Sequence, residues 1–269
     1  MSSRTSTCNF CNVKYTKLEK LKIHWQQLAL QDPLWAVLSW NNKKNNQWDE
    51  QEFFKTGEQE IQLVMDYVKK LNIQLETARA LDFGCGVGRL TQALSPYFTA
   101  VVGADISEEM VAKAGLLNKK QNCSYIVNTV PNLKVFTNNT FSFIYSRLTF
   151  QHMEPRYTKQ YIQEFIRTLK PAGIAIFVQP YKKTLLPFNS HKLSAKDTLK
   201  LIIPTSLQNL LRNIKGALFG KPVMELHSMS RQEVLAILDE QNVKIVSVDE
   251  FGDLGGSWIC YRYCIQKLK

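Results

Sequence analysis

Three glycines at alternate positions follow directly on an apolar run in ARALDFGCGVGRLTQAL, residues 78–94. Glycine-rich loops that come after a strand commonly hold a nucleotide. The dinucleotide fingerprint requires a further glycine where this chain has Arg89, and a P-loop requires Gly-Lys-Ser/Thr, which this loop lacks. The pattern at Gly84, Cys85 and Gly86 therefore indicates a nucleoside ligand without a pyrophosphate.

Two acidic residues stand where such a ligand could be recognised. Asp82 precedes Gly84 by two residues, and Asp105 ends the run VVGAD 21 residues after Gly84. An acid at the second position can accept hydrogen bonds from both ribose hydroxyls. A carboxylate at the first position would repel a phosphate and attract an ammonium group. The two acids thus indicate a ligand with a ribose and a cationic amino group.

Alternating strands and helices would position these residues. Strands that alternate with helices imply a parallel sheet with helices on both faces. The closing runs VKIVSV and WICYRYCI are joined by a short Gly-rich segment, which predicts antiparallel neighbours. The predicted strands are 78–83, 99–104, 124–128, 141–146, 173–178, 243–248 and 258–265, and the predicted helices are 16–30, 58–72, 88–96, 107–117, 155–169, 194–203, one from Pro204, and 231–241.

We predict three regions along the chain. A helical N-terminal cap covers 1–57, the core is formed by 58–180 and 223–269, and a helical lid is inserted at 181–222. The inserted segment carries eight Lys or Arg residues against one acid, and it supplies +7 of the net charge of +11.

An apolar stripe in the inserted segment predicts how the lid would pack. Because these side chains are costly to leave in water, we expect the stripe to lie over the ligand cleft, with the lysines at its rim. A competing interpretation is a membrane-surface helix, since basic amphipathic segments also bind anionic lipid. The stripe consists of Leu207, Leu210, Leu211, Ile214 and Leu218.

Four motifs in this order and spacing resemble the class I S-adenosylmethionine-dependent methyltransferases. The resemblance covers roughly 53–180 and 226–269. It implies a Rossmann-like, seven-stranded, mostly parallel sheet with an antiparallel last strand, and S-adenosyl-L-methionine as the cofactor. The motifs are LDFGCGVGRL at 81–90, VVGADIS at 101–107, FSFIYSRLTFQHM at 141–153 and LKPAGIAIFVQP at 169–180.

The resemblance also implies which residues bind the cofactor. The methionine moiety would lie against Asp82 and the glycine loop, and the ribose and one adenine face against Asp105 and Ile106. Where the family often has an acid near the adenine amino group, this chain reads Asn128-Thr129-Val130, so an amide or hydroxyl is expected there. The full predicted set is Phe54, Gly57, Asp82, Gly84, Cys85, Gly86, Asp105, Ile106, Thr129, Val130 and Arg147.

Three histidines are candidates for a catalytic base. His152 follows the fourth predicted strand, where it could equally anchor the loop, and His191 and His227 flank the basic segment. A hydroxyl acceptor would need such a base, whereas an amine near its pKa would need less help.

The N-terminus has part of a zinc-finger pattern. Cys8, Cys11 and His24 have the spacing of three ligands, but the fourth is missing. Because a structural zinc site requires four ligands, we expect no bound metal. The alternative to a zinc site is a simple cap helix over 16–30.

The sequence therefore predicts a methyltransferase that acts on an oxygen or nitrogen of a small, partly apolar metabolite. The alternatives are a nucleic-acid or protein methyltransferase, or a catalytically silent cofactor-binding module. The basic residues lie in an amphipathic segment and not in a broad aromatic groove, which disfavours nucleic acid. With no apolar run of the ~18–20 residues that a membrane span needs, we expect a soluble, cytoplasmic protein.

Overall fold

One seven-stranded sheet forms the centre of the molecule. The computed structural model describes residues 15–183, 203–219, 222–251 and 258–269. The strands are β1 (Arg79–Phe83), β2 (Ala100–Asp105), β3 (Cys123–Val127), β4 (Phe141–Ser146), β5 (Leu169–Lys183), β6 (Val243–Phe251) and β7 (Trp258–Lys267).

The sheet order is β3-β2-β1-β4-β5-β7-β6. Strands β1 to β5 are parallel, and β7 lies antiparallel between β5 and β6. This arrangement confirms the predicted Rossmann-like sheet with an antiparallel last strand. In the register of β1 and β2, Asp82 pairs with Gly103 and Phe83 with Ala104, so the loops after both strands emerge side by side.

The helices begin and end close to the predicted bounds, with one addition and one long extension. Two capping boxes fix helix starts at Thr16 and at Ser230, the second as predicted from Glu233. The helices are α1 (Lys17–Gln31), α2 (Pro33–Val37), α3 (Glu50–Lys70), α4 (Arg89–Leu94), α5 (Glu108–Leu117), α6 (Pro155–Thr168), α7 (Thr205–Phe219) and α8 (Arg231–Asp239).

Helix α3 begins eight residues earlier than predicted. The Asp49 side chain accepts a hydrogen bond from the Glu52 backbone and caps the helix there. Gly57 lies inside this helix, and a Cβ at this position would lie 2.5 Å from the Arg89 carbonyl oxygen. The glycine lets α3 approach α4 closely, and the helix runs across the predicted boundary between cap and core.

Both faces of the sheet are covered by apolar helix surfaces. Helices α3 and α4 pack on one face, where α3 contributes Ile61, Val64, Met65 and Val68 at helical spacing. Helices α6 and α8 pack on the other, with Phe165 and Ile237 among the buried side chains. These layers hold the strand ends in fixed positions.

A third apolar cluster packs the N-terminal helices against the glycine loop and α5. Ala36 of α2 packs with Trp48, Phe53, Val87 and Met110. This places the chain from 36 to 40 next to the glycine loop.

Some sequence-based expectations lie outside the described residues. These are the helix over 194–203 and the finger-like residues Cys8 and Cys11. His24 lies in α1, where its Nδ1 accepts a hydrogen bond from the Val223 backbone N–H. Among the residues with described positions, no group of three potential metal ligands occurs, and no helix combines the length and hydropathy that crossing a bilayer requires.

Candidate active site

A cavity of about 770 Å³ opens at the carboxyl ends of the parallel strands. Its wall combines residues that follow β1, β2 and β4 with residues from α1, α7 and the chain around 36–40 and 222–227. Ligands of open α/β sheets bind at this edge, and the volume suits a ligand of nucleoside size together with a second molecule.

The glycine loop forms one side of the cavity, and its geometry requires glycine. Gly84 has φ +78°, and a Cβ there would lie 2.1 Å from Oγ1 of Thr149. Gly86 has φ +52°, and its Cβ would lie 2.5 Å from Cγ2 of Val37. At both positions the backbone is left-handed and a neighbouring side chain lies where a Cβ would be, so glycine is required. Cys85 between them is buried, and burial raises the pKa of its thiol well above the usual value.

Asp105 stands in the same wall with free acceptor capacity. Its Oδ2 accepts the backbone N–H of Gly86 at 2.9 Å and its Oδ1 that of Ser107 at 2.8 Å. Each carboxylate oxygen can accept a second hydrogen bond. Burial raises the pKa of Asp105 against the opposing backbone hydrogen bonds. No ion pair to Asp105 forms within the described segments, so this carboxylate is available to the hydroxyls of a ribose.

The structure places Asp82 behind the glycine loop and not in the cavity wall. It is 1% exposed, and Oγ1 of Thr91 donates a hydrogen bond to its Oδ2 at 2.6 Å. Burial raises the pKa of Asp82 to about 7. Asp82 therefore lies outside the cavity lining, where its carboxyl group accepts from Thr91 of α4, and its contact with the ligand stays a prediction.

The residue in the wall after β3 is Asn128, whereas Thr129 and Val130 lie outside the lining. The Nδ2 of Asn128 donates to the carbonyl oxygens of Val130 and Asn132. These bonds hold the amide in place, and its Oδ1 accepts no hydrogen bond from the described residues. Of the three residues Asn128, Thr129 and Val130, Asn128 is thus the one whose side chain could meet a ligand in the cavity.

Arg147 lines the cavity and belongs to a buried charge network that the sequence did not reveal. Its Nη1 lies 2.5 Å from Glu60 of α3, and Nη2 of Arg89 lies 2.8 Å from the same carboxylate. The Tyr145 hydroxyl also donates to Glu60. Burial opposes ionisation of Glu60, but the two arginines outweigh it and lower its pKa. The network fixes α3 to the ends of β4 and α4.

Phe54 and Gly57 do not reach the cavity. Both lie in α3, where Gly57 contacts Arg89 and Phe54 packs among the cap residues. The wall is closed instead by 36–40, including Val37 and Trp40. The sequence offered only the apolar run LWAVLSW as a signal for this segment, and its five-residue helix is too short for a periodicity argument.

The ring of His152 is held on both sides. Nδ1 lies 2.8 Å from the Glu225 carbonyl oxygen, so it must donate, and Nε2 then accepts from Nε2 of Gln151 at 2.9 Å. Burial lowers the pKa of His152 to about 4, which keeps the ring neutral near pH 7. With both nitrogens engaged, this side chain anchors the loop and has no free lone pair for a proton.

His227 has a different environment in the cavity wall. Its Nε2 lies 3.1 Å from Oε2 of Glu225, whose other oxygen accepts from Nδ2 of Asn213 at 2.5 Å. The hydrogen bond from His227 lowers the pKa of Glu225 to about 2. In the described part of the chain nothing bonds to Nδ1 of His227. His191 lies outside the described residues.

Helix α7 faces the cavity with its polar side, contrary to the prediction. Gln208 and Asn209 are buried and Arg212 lines the cavity. Asn209 makes two hydrogen bonds to the Leu226 backbone, at 2.8 and 3.2 Å, and these set the orientation of the helix. The leucine stripe points outward: Leu207, Leu210, Leu211 and Ile214 are 44–53% exposed, while the Leu218 side chain lies outside the described residues.

Comparisons with known proteins agree with this geometry. Residues 81–177 match the family described as "Methyltransferase domain". The ubiquinone biosynthesis O-methyltransferase of Dictyostelium discoideum is 28% identical over 146 residues, which are 49% of this chain and 44% of that protein. The malonyl-[acyl-carrier protein] O-methyltransferase of Bacillus anthracis is 27% identical over 144 residues, 51% and 52% of the two chains. The chain thus spans about half the length of these curated relatives.

A solved structure extends the likeness to nearly the whole fold. Magnesium protoporphyrin IX methyltransferase from Synechocystis PCC 6803, crystallised with bound SAH, superposes with a TM-score of 0.56 at 16% identity, covering 92% of this chain and 98% of that one. The matched domain begins at Leu81 and includes both the glycine loop and the end of β2. In the domain match over residues 81–177, the strand order and the loop geometry, this chain is similar to S-adenosylmethionine-dependent methyltransferases.

Proposed function

We propose that this chain is an enzyme that binds S-adenosylmethionine in the cavity and transfers its methyl group to an oxygen or nitrogen of a small, partly apolar metabolite. The observation that carries this proposal is Asp105, a carboxylate without an ion-pair partner among the described residues, beside a loop that only glycine can form. The relatives that match include O-methyltransferases and an N-methyltransferase, which is consistent with an oxygen or a nitrogen acceptor.

The wall offers a place for each part of the cofactor. Asp105 would accept from the ribose hydroxyls, Ile106 would cover one face of the adenine, and Oδ1 of Asn128 would accept from the adenine amino group. The backbone at Gly84 and Gly86 would approach the methionine moiety closely because no Cβ intervenes.

The rest of the wall suits an acceptor with an apolar body. Trp25, Val223, Met224 and Leu226 present apolar surface. Oε1 of Gln151 is buried there without a hydrogen-bond partner among the described residues. It would accept from the hydroxyl or amine of the acceptor and so fix the direction of the attacking lone pair.

The cofactor supplies a methyl group on a positively charged sulfonium, which is already electrophilic. The remaining work of the protein is to align the acceptor and to exclude water. For a hydroxyl acceptor, we assign His227 as the base that receives the proton at Nδ1, because Glu225 accepts from Nε2–H and leaves Nδ1 as the lone-pair nitrogen.

The substitution Asp105→Ala tests the cofactor assignment. Removing the carboxylate leaves the ribose hydroxyls without acceptors, so affinity for S-adenosylmethionine should fall by about 1–3 kcal/mol, or roughly 5- to 150-fold. Isothermal calorimetry measures this directly. The exposed Asp239→Ala in α8 serves as the matched control and should bind normally.

Unchanged affinity in Asp105→Ala would refute the ribose assignment. Incubation of the wild type with a cellular small-molecule extract and labelled cofactor, followed by product mass, then tests transfer. Tight cofactor binding with no labelled product from small molecules, protein or RNA would favour a silent binding module. Label in RNA or protein alone would favour a macromolecular substrate.

A further inference from the structure

We propose that the acceptor carries an oxyanion group, a carboxylate or a phosphate, and that Arg212 of α7 binds it in the cavity wall. This inference rests on the proposed function, because it assigns the chemistry of the acceptor in the same site. The acceptor would then need a negatively charged group in addition to the apolar body already described.

Arg212 is a partly buried cation without an acidic partner in the described part of the chain. Arg212 lines the cavity, and within the described segments its side chain makes one hydrogen bond, from Nη1 to Oδ1 of Asn209 at 3.4 Å. Burial lowers the pKa of Arg212, and no carboxylate counteracts this. Arginines are seldom removed from water without a paired charge, because desolvation is costly. A ligand oxyanion would supply the missing partner.

The acid on the neighbouring segment is already occupied. Glu225 accepts from His227 on one oxygen and from Asn213 on the other. The bonds from His227 and Asn213, together with the nearby charge of Lys17, hold the pKa of Glu225 low, and Arg212 is not among the causes. Arg212 therefore keeps its donors for the cavity.

The orientation of α7 is set so that Arg212 faces inward. Asn209 bonds to both backbone groups of Leu226, and Asn213 bonds to Glu225. The same orientation leaves four aliphatic side chains of α7 half-exposed, which is unfavourable in water. Binding of an anionic group at Arg212 would offset this cost.

The chemistry of the surrounding wall completes the argument. A guanidinium presents a rigid fork of donors that matches the two oxygens of a carboxylate or a phosphate. Next to it, Val223, Met224 and Leu226 present apolar surface. The site thus fits an amphipathic acid, with its anionic group at Arg212 and its apolar body along 223–226.

Three probes with one chain length test the proposal: octanoate, octyl phosphate and octanamide, each titrated by calorimetry into the protein saturated with S-adenosylhomocysteine. Wild type should bind at least one anionic probe roughly tenfold more tightly than octanamide, as expected for a charge-assisted hydrogen-bond pair. Arg212→Met, which retains the apolar length of the side chain, should lose this preference. The exposed Arg156→Met should retain it.

Comparison of the two anionic probes tells carboxylate recognition from phosphate recognition. Equal binding of octanamide, an undiminished preference in Arg212→Met, or no binding of any probe at millimolar concentration would each overturn the proposal. S-adenosylhomocysteine affinity is measured on the same samples. If it fails in wild type, the proposed function fails, whereas intact cofactor binding with no anion preference refutes only the role of Arg212.

Discussion

Two histidines in the cavity wall differ because of the groups that their ring nitrogens meet. His152 donates to a backbone carbonyl and accepts from Gln151, so its ring is held neutral and has no spare lone pair. His227 donates to a carboxylate and keeps Nδ1 unbonded within the described residues. Residue type alone therefore does not decide which histidine can take a proton.

His152 should make stability depend on pH. Its folded pKa of about 4 lies below the unfolded value near 6.5, so between these values the unfolded chain binds a proton that the folded chain does not. The contribution of neutral His152 to the free energy of unfolding is therefore fully present above about pH 6.5 and is lost as the pH falls toward 4. Between pH 7.5 and 4.5, wild type should lose roughly 2 kcal/mol more than His152→Gln, measured by urea unfolding. Parallel pH curves for the two proteins would contradict this.

The matched substitution His227→Asn separates anchoring from catalysis. With a hydroxyl acceptor it should lower kcat by at least roughly 100-fold, while the Kd for S-adenosylmethionine stays unchanged. His152→Gln should retain most of kcat under the same conditions. An equal loss of kcat in both variants would remove the distinction between them.

At the scale of elements, periodicity and turn residues predicted most of the fold. The bounds of β1 and β4 were predicted within one residue, because apolar runs flanked by glycine or polar residues are clear signals. The capping box at Ser230 was equally local. Helix α2, which Asp32 caps and Pro33 begins, was missed because five residues are too few to show a helical period. The start of α3 was predicted too late because Gly57 is typical of a helix boundary. In the structure Gly57 instead allows the close contact with Arg89.

Site residues were predictable only where one motif supplies them. The glycine loop and Asp105 lie in the wall as expected. Glu60 could not be predicted, because its partners Arg89 and Arg147 come from distant parts of the chain. Periodicity also identified the apolar stripe of α7 but not its direction, which Asn209 decides through its bonds to Leu226.

That orientation of α7 predicts an unusual pattern of mutational sensitivity. Leu210→Gln should change the free energy of unfolding by less than about 0.5 kcal/mol, because Leu210 is exposed. Asn209→Ala should cost about 1–3 kcal/mol, since it leaves two backbone groups of Leu226 without partners. Urea denaturation of both variants gives the comparison. A large cost for Leu210→Gln would mean that the leucine stripe covers the cavity after all.

On the scale of the whole molecule, the cavity is enclosed by segments that are far apart in the chain. The cofactor side is built by the loops after β1 and β2, and α7 with 222–227 closes the acceptor side. The two sides share no hydrogen bond among the described residues. Cofactor binding and acceptor alignment should therefore be separable.

Deletion of 194–219 tests this separation. The variant should bind S-adenosylmethionine within a few fold of wild type, because Asp105 and the glycine loop do not depend on α7. Methyl transfer should be abolished, since Arg212 is gone, Leu226 loses its contact with Asn209, and water enters the acceptor side. Calorimetry and a labelled-methyl assay measure the two properties. Full turnover in the deletion, or activity of the intact protein only with anionic vesicles, would instead favour a membrane-anchoring role for the exposed leucine stripe and its basic segment.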